Sequence, residues 1–146
     1  MFPQPVSRGR TLIGRLPKGS DLMAEINRLC HEENIRLGKV QAIGAVSKAM
    51  VGFFLQESRE YFSLEFDYYL EIISLQGNIS IKDGVPFTHA HIALMNNEGK
   101  MIGGHLIEGT EVFSCEYIIN EYMPEEDKTF HRVLDEETGL FMWPLK

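Results

Sequence analysis

Three of the chain's five histidines fall within one short stretch, THAHIALMNNEGKMIGGHL, as His89, His91 and His105. Neutral imidazole is the commonest side-chain ligand for transition metals, and it exchanges protons near neutral pH. A strand repeats every two residues, so His89 and His91 point to one face. The triplet Asn97-Glu98-Gly99 suits a three-residue hairpin loop with glycine in the left-handed region. In that register Asn96 faces Lys100, His105 stands opposite His91, and Ile107 stands opposite His89. Facing side chains have Cβ atoms about 4.5–5.5 Å apart. Three nitrogens on one face are thereby placed to converge on zinc, or another divalent transition metal, with a fourth position open.

The inference depends on register. A two- or four-residue loop would turn His105 to the other face, and Gly103-Gly104 could form a bulge that changes the pairing. In the favoured register Gly103 lies opposite Ala93, which leaves little bulk beside the histidines. A His-x-His pair alone is more often ordinary packing, so the third histidine carries the argument.

Two further residues are drawn towards this site. Asp83-Gly84 is a strong tight-turn dipeptide, and a hairpin there brings Asn78 alongside His89 as an outer support. Glu71 is a carboxylate inside the apolar run YLEIIS. It is the candidate general acid or base, provided that it reaches the metal. A paired or edge-facing carboxylate is the competing account of Glu71.

The remaining sequence supplies the scaffold. RTLIGRL at 10–16 has strand character, after a loose leader with Pro3 and Pro5. A helix is expected from about Asp21 to Asn34, with Ser20 or Asp21 as N-cap and Leu22, Ile26, Leu29 and Cys30 on its apolar face. From Gly38 onward the chain is rich in β-branched and aromatic residues. KVQAIGAVSKAMVGFFLQ divides into two strands at Gly44 and Ser47-Lys48. EYFSLEF, YYLEIISL, GNISIKDG, HAHIALM, KMIGGHL and TEVFSCEYIINEY follow as further strands. No helical crossovers separate them, so the fold class is α+β, a compact and mainly antiparallel sheet with one principal helix. The expected organisation is a single domain over 1–146, with a core at about 8–122 and an acidic extension at 123–146. In the extension, Phe130, Leu134, Leu140, Phe141 and Trp143 are candidate docking residues.

A length of 146 residues suits one domain with a proper core, and 44% hydrophobic residues are ordinary for a soluble protein. MFPQPVSRGR lacks a signal-peptide core and no apolar run is long enough for a bilayer, so a cytoplasmic protein without membrane contact is expected. Cys30 and Cys115 lie far apart and read as buried thiols. The net charge of −7 disfavours broad capture of nucleic acid. Charge is uneven: seven of the 21 acids lie between Glu121 and Glu137, while Arg8, Arg10, Arg15 and Lys18 form a basic segment.

The segments RLPKGSDL, KVQAIGAVSKAMVGFF, LEIISLQGNISIKDGVPFTHAHIAL and GKMIGGHLIEGTEVFSCEYII together resemble the plant-and-prokaryote conserved domain family. The resemblance covers about residues 8–122, and the tail DEETGLFMW is similar to the end of single-domain prokaryotic members. It implies an antiparallel sheet assembled as a homotrimer, and a zinc ion held by His89, His91 and His105. Prokaryotic relatives are often provisionally called DNA-binding, because plant relatives carry an Arg-Gly-Arg-Pro arm that enters the minor groove. Here Arg8-Gly9-Arg10 runs into Thr11, so that arm is not expected. Plant members also engage partners through a Gly-Arg-Phe-Glu-Ile-Leu motif. The matching stretch, Tyr68 to Ile73, lacks its glycine and arginine, so that role does not carry over. The function expected is a DNA-associated regulatory or assembly protein with a three-histidine zinc site. The alternative is a zinc-dependent enzyme acting on a small molecule through metal-activated water.

Overall fold

The structure, a computed structural model, describes residues 4–125 and 130–144. Its elements run β1 (Val6–Leu16), α1 (Leu22–Glu32), β2 (Gly38–Leu55), β3 (Glu60–Phe66), β4 (Leu70–Lys82), β5 (Val85–Met95), β6 (Met101–Leu106), β7 (Glu111–Pro124), β8 (Val133–Asp135) and β9 (Leu140–Met142). These strands pair with one another in antiparallel fashion. The α+β expectation holds, with a seven-stranded sheet ordered β1-β7-β2-β4-β5-β6 and β3 attached to β2.

Strand β2 organises this sheet. Its first half pairs with β4 on one side and β7 on the other. Its second half pairs with β3 and, at Val51–Leu106 and Gly52–His105, with β6. Strands β2, β4, β5 and β6 therefore close into a ring. The sequence divides this segment into two strands, yet the chain stays in one strand of 18 residues. Gly44 bends the strand without ending it. Its φ is +144°, its register against β4 and β7 slips close by, and a Cβ there would lie 2.1 Å from the Ser114 carbonyl oxygen. This is a glycine bulge, which sharpens twist while pairing continues on both sides.

YYLEIISL and GNISIKDG likewise merge into the single strand β4, and β1 begins at Val6, inside the expected leader. The tail adds the small hairpin β8–β9.

Helix α1 starts where expected. Asp21 caps it by accepting a bond from the Ala24 N–H at 2.8 Å. Leu22, Met23, Ile26 and Cys30 are buried, and they join Ala90, Ile92 and Leu94 of β5 in one core. Asn27 accepts a bond from the Thr88 N–H at 2.9 Å, tying the helix to β5. The even-numbered residues of β5 thus face the helix and its core, and the odd-numbered residues face outward. Among the described residues no helix is long and apolar enough to cross a membrane.

Candidate metal centre

The hairpin β5–β6 carries the histidines. Asn96 shapes its turn: its amide oxygen accepts from the N–H groups of Glu98 and Lys100, at 3.0 and 2.9 Å. Gly99 takes φ +79°, and the Asn96 N–H donates to the Lys100 carbonyl at 3.0 Å. This is the three-residue loop expected from Asn97-Glu98-Gly99. Met95 consequently pairs with Met101, Ala93 with Gly103, and His91 with His105. Gly103 permits the close pairing, because a Cβ there would lie 2.3 Å from the Ile92 carbonyl oxygen.

On the other side of β5, Asp83 and Gly84 both adopt positive φ, at 51° and 85°, and join Lys82 to Val85 in a two-residue hairpin. That register sets Asn78 beside His89. One row of paired residues crosses the outer face of the sheet: Ile13, Ile118, Gln41, Gln76, His91 and His105.

The three imidazoles form a triangle, with ring centroids 5.3 Å apart for His89–His91, 4.9 Å for His89–His105 and 5.4 Å for His91–His105. One nitrogen from each lies within 4.8 Å of the others. Zinc–nitrogen bonds of about 2.0–2.1 Å would draw such nitrogens to roughly 3.3 Å, a closure within reach of side-chain rotation. His91 is exposed, while His89 and His105 are half-buried.

The electrostatics favour the ligating form. Burial, followed by the charges of His105, Arg132 and His91, pushes His89 down to about 4. Burial, then His91 and Arg132, lowers His105 as well. Both rings are therefore neutral at physiological pH, as metal coordination requires. The donor set fits a divalent transition metal.

Glu71 is placed elsewhere. It pairs with Met95 and Ala45 and is exposed, four residues along β5 from His91, or about 13 Å at a strand rise of ~3.3 Å. The register that gathers the histidines leaves Glu71 at the far end of their hairpin.

Residues not singled out in the sequence complete the site. Tyr61 of β3 packs its ring 5.4 Å from that of His105. The tail returns along β4: the Ile81 N–H donates to Phe130 and the Arg132 N–H to Ile81, at 2.9 and 2.7 Å. Arg132 is buried, donates one N–H to the Asn78 amide oxygen and another to the Phe141 carbonyl at 3.2 Å. Its guanidinium lies over the rings of Phe87 and Trp143, at 5.6 and 5.8 Å. A cleft of about 830 Å³ opens between tail and sheet, lined by His89 and His105 together with Tyr61, Arg132, Phe141 and Trp143. The tail aromatics were visible in sequence as docking residues. Arg132 had only one signal, a cation set among them in an otherwise acidic stretch.

The basic segment is engaged by the fold. Arg10 bonds to both oxygens of Glu121, its Nε at 2.8 Å from Oε2, and to Glu33 at 3.1 Å. Arg8-Gly9-Arg10 belongs to β1 and lies along β7.

Comparison with known proteins agrees with this architecture. The family described as Plants and Prokaryotes Conserved (PCC) domain matches residues 4–123. A metal-containing protein from Archaeoglobus fulgidus is 38% identical, with a TM-score of 0.91 and 99% of both chains covered. A plant- and prokaryote-conserved protein from Pyrococcus horikoshii is also 38% identical, with a TM-score of 0.91, covering 99% of this chain and 97% of that one. A protein from Bacteroides thetaiotaomicron provisionally described as DNA-binding shares the fold at 22% identity and a TM-score of 0.83, over 95% of this chain and 96% of that one. The bifunctional protein GlmU of Synechococcus sp. (strain JA-3-3Ab) is 32% identical over 120 residues, which are 80% of this chain but only 18% of that protein.

Proposed function

The chain belongs to the Plants and Prokaryotes Conserved domain family, and on that premise we propose that it is a homotrimeric regulatory or assembly protein with zinc on His89, His91 and His105. The observation that carries this reading is the convergence of three imidazoles on one face of one hairpin, with burial holding His89 and His105 in the neutral form. The metal-containing relative from Archaeoglobus fulgidus supports it. A bound zinc ion would supply a Lewis acid next to the cleft.

Self-association is supported by the outer face of the sheet. Ile13, Ile43 and Ile118 are 76%, 59% and 44% exposed there, close to one another across β1, β2 and β7. A contiguous apolar patch of this kind marks an interaction surface. Association with DNA, in this reading, runs through a partner. The net charge of −7 opposes direct capture, and Arg10 is already held by Glu121 and Glu33.

A second reading, a zinc-dependent enzyme acting on a small molecule, is favoured by one observation. The cleft is lined by His89 and His105 and has the size of a small-molecule site.

Metal analysis tests the primary reading. The protein as purified should hold about one zinc per chain, and the His89→Ala and His105→Ala variants should lose it. Unchanged metal in both variants would sink the site. Sedimentation should give the mass of three chains. Fluorescence anisotropy should show no binding of duplex DNA at micromolar protein and physiological salt.

A further inference from the structure

The cleft beside the histidines has an unusual charge balance. On a chain of net charge −7, its lining includes Lys82 and Arg132 and, among the described residues, no carboxylate. Neither cation enters an ion pair among the described residues. Arg132 is only 8% exposed. Among the described residues its two bonded partners, the Asn78 amide and the Phe141 carbonyl, are both neutral, and its buried Nε has no partner. Lys82 is placed over the rings of Phe87 and Phe141, at 5.1 and 4.3 Å.

A buried charge ordinarily meets its opposite, because removal from water costs several kcal/mol that neutral dipoles and ring faces offset only in part. Here two cations share Phe87 and face one cleft without a counter-charge among the described residues. The rings of Phe141 and Trp143 lie against these cations, and with Phe130 and Met142 they give the cleft an apolar wall. A cleft that sets two cations among aromatic rings suits a ligand with one anionic end and an apolar body.

We propose that this cleft binds a small organic carboxylate, its anionic group settled against Arg132 and Lys82 and its apolar body against the aromatic wall. The proposal deepens the small-molecule part of the functional reading but does not rest on zinc. A nucleic acid phosphate is the poorer match, because the surrounding protein is strongly acidic.

The chain's single tryptophan, Trp143, lies in the cleft wall and reports on occupancy. Benzoate, titrated into the full chain with and without zinc, should change Trp143 emission saturably. Benzamide, its neutral counterpart, should bind at least tenfold more weakly. Arg132→Gln should weaken benzoate at least tenfold and Lys82→Gln several-fold, each with unchanged circular dichroism. Should Arg132→Gln loosen the tail, the benzoate–benzamide comparison in the unaltered protein decides by itself. Equal binding of the two, or benzoate affinity unchanged in both variants, would overturn the proposal. Displacement of benzoate by equimolar inorganic phosphate would overturn the choice of carboxylate. Saturable benzoate binding by a chain that takes up no zinc when zinc is supplied would uphold this proposal while removing the metal reading. A zinc-loaded chain indifferent to benzoate would do the reverse.

Discussion

His91 and His105 stand directly opposite each other on neighbouring antiparallel strands, with ring centroids 5.4 Å apart. Nothing between them in sequence is long: a turn of three residues sets the pairing. The histidine cluster is therefore a property of one hairpin, with Asn78 opposite His89 on the neighbouring strand.

Truncating any one of the three should lower zinc affinity at least 100-fold, because each supplies one of three nitrogens. The exposed helix residue His31 offers a control, and His31→Ala should leave zinc content intact. Isothermal titration of the metal-stripped variants makes the comparison. Equal affinity in His31→Ala and His91→Ala would exclude the cluster as the site.

The turn should matter to the metal as well as to stability. Asn96→Ala removes the acceptor of two backbone N–H bonds and should cost about 0.5–2 kcal/mol. Loosening of the register should also weaken zinc binding. Urea denaturation and metal titration of the same variant test the link; a loss of stability with unaltered affinity would break it.

Two glycines should respond differently to alanine. At Gly103 a Cβ would press on the Ile92 carbonyl at 2.3 Å, and the strand must shift. We expect roughly 1–3 kcal/mol of destabilisation, as for overpacked sites. At Gly84 nothing lies within 4 Å, and only φ of +85° opposes a side chain, at a cost of about 1–2 kcal/mol. Urea midpoints should rank the Gly103 variant below the Gly84 variant, and the reverse order would contradict the packing.

Stability of the metal-free protein should fall in mild acid. His89 is held at about 4 against an ordinary value of 6.5. Between those values the unfolded chain binds a proton that the folded protein refuses. Folding therefore becomes less favourable as pH drops from about 6.5 towards 4, and His105 acts in the same direction. The urea midpoint should decline across that window, and His89→Gln should flatten the decline. An identical slope in the variant would rule out His89 as a cause.

Both thiols should resist modification. Burial pushes Cys30 up to about 12 and Cys115 up to about 11, and the two are 0% and 1% exposed. The thiolate is the reactive form. A disulfide reagent at pH 8 should react with neither until denaturant is added, and rapid reaction of the folded protein would show that the core opens.

The histidine hairpin was legible in sequence because its geometry is local. Strand period fixed His89 with His91, and the length and glycine of the turn fixed His105. Helix α1 was legible for the same reason, through its cap at Asp21 and its apolar spacing. What escaped is non-local. Gly44 looks like a break, but a bulge held by β4 on one side and β7 on the other lets β2 run through it. Glu71 looked available to the metal until pairing with Met95 set it down the hairpin. Arg132 and Tyr61 reach the site only because the tail and β3 fold over it, which no spacing within either segment announces.

The arginines near the start of the chain gain a different meaning from their place in the sheet. Among the described residues strand β1 is an edge strand, paired with β7 alone, and it carries Arg8, Arg10 and Arg15. An unprotected edge invites another chain to add itself as the next strand, and charged side chains discourage that addition. By that principle the arginines of β1 disfavour a further strand at this edge of the sheet.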